Sequence, residues 1–110
     1  MRRGWILISG LLLVLACGEG KELSPAEQGA RVYAVNCTAC HHPDPTRDGT
    51  LGPAIAGSSR ELLDARVVRG EYPPGYTPKR QSQQMVPLPY LAPQIDALAA
   101  YLGELSPAAN

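Results

Sequence analysis

The chain predicts an all-α fold of three short helices. Two serines each stand three residues ahead of a glutamate, Ser24 before Glu27 and Ser58 before Glu61, which is the pattern of a capping box. Apolar residues recur every three or four positions after these serines and again near the C-terminus, and no alternating run competes as a strand. The first helix takes Ser24 as N-cap and Pro25 at its first position, and follows to about Cys37. Gly29, Val32, Tyr33, Asn36 and Cys37 form a stripe on it that should meet another helix. Residues 42–57 are rich in Pro, Asp, Gly and Thr and exclude a continuous regular element. The second helix opens at Ser58, runs through Leu62, Leu63, Arg66 and Val67, and stops at Gly70. Residues 71–91 hold Pro73, Pro74, Pro78, Pro87 and Pro89, and a structureless stretch of that length in a compact domain calls for a functional reason. The third helix begins near Pro93 and runs to about Leu102, with Gly103 as a stop signal. Ile95, Leu98, Ala99 and Leu102 make its buried face, and Tyr101 flanks that face within reach of the first helix.

The end of the first stripe carries the chemistry. Cys37-Thr38-Ala39-Cys40-His41 spells C-x-x-C-H, the attachment site of c-type haem. Two thiols can add to the two vinyl groups of haem, while the imidazole reaches the iron as proximal ligand. On a helical turn, positions three and four apart share a face, so Cys37, Cys40 and His41 can address one porphyrin. A closed zinc site would need four ligands, and the rest of the chain offers only Cys17 and His42. A thioredoxin-like redox pair would want a preceding strand in a βαβ setting, whereas a helix precedes Cys37.

A thin core points the same way. Without residues 1–16 the chain has 94 residues, no Phe and no Trp, so a flat apolar cofactor supplies the missing centre and the apo-protein should be largely unfolded. Met85 is the one methionine beyond Met1, and it lies in the proline-rich stretch 44 residues after His41, enough chain to pass around a haem ring. It reads as the second axial ligand, with core filler as the alternative for a lone Met. His42 adjoins His41 and cannot reach the opposite face of the same iron, so it reads as an exposed neighbour.

The N-terminus supplies an address. Arg2 and Arg3 precede an apolar run from Trp5 to Ala16, broken only by Ser9 and Gly10 and, at 12 residues, too short to span a bilayer. Residues 1–16 read as an export signal, 17–23 as a short linker, 24–106 as the domain and 107–110 as a tail. Val14-Leu15-Ala16-Cys17 resembles the lipobox of bacterial lipoproteins, although Leu15 is less typical of it. That resemblance implies diacylglycerol on Cys17, a membrane surface as partner and an extracytoplasmic, tethered location. The three cysteines are then spent, one on lipid and two on haem, and no thiol is left for a disulfide. Loss of Arg2 and Arg3 leaves eight basic and ten acidic side chains, a balance of −2, and with no basic run nucleic acid is not an expected partner. Lys79-Arg80, the one adjacent basic pair beyond the signal, reads as a solvated loop or a docking contact for a redox protein.

With these residues in place the domain resembles the class I c-type cytochromes, a family of small monohaem bacterial proteins. Gly29 and Tyr33 match the glycine and aromatic that the family packs against its last helix, where Leu98 and Tyr101 stand here. Gly52-Pro53 looks like the family's glycine-proline turn, which implies a hydrogen bond from the proximal imidazole of His41 to the Pro53 carbonyl. Two positions depart from the pattern: Val86 intervenes between Met85 and Pro87, and Ala92 stands where a Ser or Thr N-cap is common. With no Trp in the domain, the haem propionates would look to Tyr72, Tyr76, Arg80 or Gln84. The resemblance implies an electron carrier rather than an enzyme, with one haem c, an electron donor and an acceptor protein, in a respiratory or related chain. The alternatives are a haem c subunit of a larger oxidoreductase, and a haem sensor or peroxidase with Met85 off the iron.

Overall fold

A computed structural model describes residues 21–82 and 84–105; Cys17, the expected export signal at 1–16 and the expected tail at 107–110 lie outside them. Helix α1 spans Pro25–Asn36, and its start follows from the capping box: the Glu27 amide donates to Ser24 Oγ at 3.2 Å and the Ser24 amide to the Glu27 carboxylate at 3.4 Å. Helix α3 spans Ile95–Glu104 and buries Ile95, Ala97, Leu98 and Leu102. The two helices cross at Gly29. A Cβ placed there would lie 2.0 Å from the Ala97 carbonyl oxygen and 2.7 Å from Tyr101 Cβ, so backbone meets backbone and only glycine fits. Beside the crossing the rings of Tyr33 and Tyr101 stand 5.8 Å apart, tilted by 56°. Tyr33 is 1% exposed, and its hydroxyl donates to the His42 carbonyl, which ties the crossing to the residues just after the haem motif.

Helix α2, Arg60–Leu63, begins one residue later than expected. Ser59 is the N-cap, its Oγ accepting from the Leu62 amide at 3.1 Å, while Ser58 donates its hydroxyl to the Ile55 carbonyl at 2.6 Å and closes the preceding turn. Glu61 therefore stands two positions after the cap instead of three, and no capping box forms. After one turn the helix widens into a π-helical segment, Asp64–Val68, and Gly70 ends it at φ +69°.

The third helix also differs from expectation. A 3₁₀ segment, Pro89–Gln94, precedes α3 and takes Pro93 inside it, and α3 continues through Gly103 to Glu104. Gly103 does not stop the helix: unlike Gly70, it does not take the positive φ of a helix-ending glycine. A glycine costs about 1 kcal/mol in a helix, too little to release Leu102, which is 0% exposed. Ala97 is buried as well, its main chain lying against Gly29, while Ala99 is half-buried against the core. Among the described residues no strand occurs, and no helix is long and apolar enough to cross a membrane. The fold is all-α, with Tyr33, Leu63, Val67, Leu91, Ile95, Leu98 and Leu102 as its core.

Candidate functional site

Between this core and the proline-rich stretch lies an open cleft which, with its mouth, encloses about 850 Å³. Cys40, His41, Gly52 and Pro53 line one part of it; Leu62, Leu63, Arg66 and Val67 of the second helix line another; Tyr72, Tyr76, Lys79, Arg80, Gln84 and Met85 complete it.

The wall around His41 is built from local backbone. After α1 ends, the amides of Cys40 and His41 both donate to the Cys37 carbonyl, at 3.3 and 2.9 Å, giving the motif one more turn. The chain then loops back: the Gly52 amide donates to the Cys40 carbonyl at 2.9 Å and the Gly49 amide to the Gly52 carbonyl at 2.8 Å. His41 Nδ1 lies 2.9 Å from the Pro53 carbonyl oxygen. That oxygen can only accept, so Nδ1 carries the proton and Nε2 keeps its lone pair for a metal. Gly52 sits against the ring itself, since a Cβ there would fall 2.5 Å from Nδ1 and Cε1. His42, half-buried, turns away from this role: its Nδ1 accepts from the Asp44 amide at 2.8 Å.

The wall around Met85 is built from long side chains. Lys79 Nζ donates to the Ala54 carbonyl at 2.7 Å and Arg80 Nη1 to the Leu51 carbonyl at 3.2 Å, so the basic pair pins the proline-rich stretch to the His41 wall. Arg80 also stands 3.9 Å from the Asp48 carboxylate. Tyr72 and Tyr76 stack at 5.5 Å and 9°. The Arg66 guanidinium lies 4.8 Å over the Tyr72 ring and donates to the carbonyls of Gly70 at 3.0 Å and Met85 at 3.3 Å. Beyond Met85, the Leu88 amide donates to the Val67 carbonyl at 2.6 Å. Tyr72, Tyr76, Arg80 and Gln84 all line the cleft, and so do Lys79 and Arg66, which sequence reasoning did not place there. The signal for Arg66 was a cation standing in the apolar stripe of Leu62, Leu63 and Val67.

Burial raises the titration of four groups, among them the hydroxyls of Tyr76 and Tyr101. It pushes the Cys37 thiol up to about 11, and it raises the Tyr33 hydroxyl well above its ordinary range, with the nearby Cys37 adding to the shift. Asp44 is held below the usual carboxylate range by the hydrogen bonds it accepts from Thr46.

These residues fit a haem better than a bare ion. Among the described residues no three His, Cys, Asp or Glu side chains gather as a metal site. Instead one imidazole and one thioether line a cleft whose other walls are mainly apolar, with the exposed Cys40 beside them. A family model described as Cytochrome c matches residues 26–106. No curated protein and no solved structure matches the chain.

Proposed function

Since the chain belongs to the cytochrome c family, which implies covalent haem c and electron transfer with redox proteins, we propose that it is a lipid-anchored extracytoplasmic carrier of one electron. In this reading Cys37 and Cys40 hold the haem, His41 and Met85 ligate its iron, Pro53 orients His41, and Cys17 bears the lipid. When bound, the haem supplies an iron that changes by one electron between its ferric and ferrous states. The observation that carries the reading is a single cleft bordered by Cys40, His41 and Met85, with the His41 ring already aligned by Pro53.

The protein's own residues determine what that iron can do. Pro53 and Gly52 fix the tautomer and tilt of His41, so little of its orientation remains to be set on binding. Met85, packed against the core, would hold a bound iron through its soft sulfur, which would leave no place for water, oxygen or peroxide and would favour the reduced state. With His41 and Met85 both retained as ligands, a change of one electron would need little reorganisation. Leu51, Ile55, Leu62, Leu63 and Val67 give the cleft its apolar lining.

The reading is tested on protein purified from membranes in mild detergent. Haem stain should survive denaturation, the oxidised spectrum should show the weak methionine-to-ferric band, and the reduced protein should not bind carbon monoxide. Absence of the band together with carbon monoxide binding would instead establish the sensor or peroxidase reading. A fixed place in a larger oxidoreductase is favoured by one feature: Val35, 82% exposed, and Tyr90, 64% exposed and bonded to Asn36, leave apolar surface at the end of α1. Stoichiometric co-purification of a second chain would decide for it.

A further inference from the structure

Arg66 makes three contacts, and all three are to one stretch of chain. Nη1 donates to the carbonyl of Gly70, where the second helix turns out into the loop; Nη2 donates to the carbonyl of Met85, where the loop returns; and the plane of the group is covered by Tyr72, which lies between them. One guanidinium thus spans both ends of a loop from Gly70 to Met85. Arg60, Arg69 and Arg80 each meet a carboxylate, whereas the half-buried Arg66 gives its hydrogen bonds to main-chain carbonyls. Its charge is directed to carbonyl oxygens, which suits a planar fork with fixed donors and does not suit a lysine. The π-helical segment that carries it, Asp64–Val68, is a conformation that recurs where a helix is adjusted for function.

We propose that Arg66 is the positioning residue of the Met85 side of the cleft, a clamp that closes the 70–85 loop and thereby sets how tightly Met85 competes for the iron. The proposal rests on the reading of Met85 as an iron ligand. Arg66 meets Met85 at its carbonyl, so it would act through the backbone of the ligand residue. Without the clamp the loop ends part more readily, Met85 spends more time away, and an external ligand takes its place more easily.

The test uses full-length holo-protein, wild type against Arg66→Gln and Arg66→Lys, with two readouts. The first is titration of the oxidised protein with imidazole, followed by loss of the methionine band. Losing charge-assisted bonds to two carbonyls should tighten apparent imidazole affinity roughly tenfold in Arg66→Gln. Arg66→Lys, which keeps the charge but not the fork, should fall between it and wild type. The second is hydrogen exchange at the amides of Tyr76 and Leu88, bonded to the Pro73 and Val67 carbonyls, which should quicken in both variants. Should Arg66→Gln fail to accumulate, Arg66→Lys carries both readouts. Wild-type imidazole affinity and wild-type exchange in the variants, even with a lowered Tm, would overturn the clamp. A wild-type protein without the methionine band would sink the Met85 reading alone, because the exchange readout still judges whether Arg66 holds the loop.

Discussion

His41 and Met85 border the same cleft from walls held by different kinds of bond. Around His41, between Cys37 and Pro53, main chain bonds to main chain, and the ring bonds to a carbonyl 12 residues away. Glycines at 49 and 52 allow approaches that no Cβ would permit. Around Met85, side chains of Arg66, Lys79 and Arg80 reach 19 to 29 residues to grasp carbonyls. The first wall has no part that can be removed without moving the rest. The second is a set of tethers, each of which can be cut alone. Substitutions on the His41 side should therefore act almost as a switch, and those on the Met85 side by degrees.

The sharpest break of that contrast is Gly52→Ala. The new methyl overlaps the His41 ring, so ring and carbonyl must separate at a cost of about 3 kcal/mol, and the yield of protein that retains haem stain after denaturation should collapse. Met85→Ala should be milder, about 2 kcal/mol from the lost packing, with covalent haem retained. Its oxidised spectrum should lose the methionine band and its reduced form should take up carbon monoxide.

Tyr33→Phe tests the link between the helix crossing and the His41 wall. Loss of the bond to the His42 carbonyl should cost about 1 kcal/mol by denaturant melting. It also predicts a pH effect with a definite sign. The Tyr33 pKa is raised above its ordinary 10.0, so the folded state favours the neutral phenol; stability is full below about pH 10 and falls as pH rises beyond it. That alkaline loss should be smaller in the Phe variant. The smallest effect belongs to Lys79→Gln, an exposed tether, at about 0.5 kcal/mol in the same melts, with the haem spectrum unchanged.

The same division explains what the amino-acid order could disclose. Ser24, Pro25 and Glu27 act within one turn, and the α1 helix begins where they say. The C-x-x-C-H motif and the glycine-proline turn lie close in sequence, so the wall they build is readable from spacing and resemblance. Where two neighbours carry the same chemistry, spacing is not enough: Ser58 and Ser59 compete for one cap, and the choice depends on whether Ser58 is needed at the Ile55 carbonyl. Gly103 shows a different limit, because its meaning as a stop depends on packing at Leu102 that no local pattern contains. Arg66, Lys79 and Arg80 were visible as cations, but the carbonyls they hold are chosen by the path of the loop. The π-helical turn has no local signature at all in this chain.

The contact between Gly29 and Ala97 joins positions 68 residues apart, almost the full length of the domain. A chain delivered from its N-terminus therefore offers α1 its packing partner α3 only after the whole stretch between them has arrived. Closing so large a loop costs little more than closing one half its size, since the penalty grows only with the logarithm of length. The cost is in waiting: the order of emergence, rather than the strength of any contact, decides when the domain can first become whole.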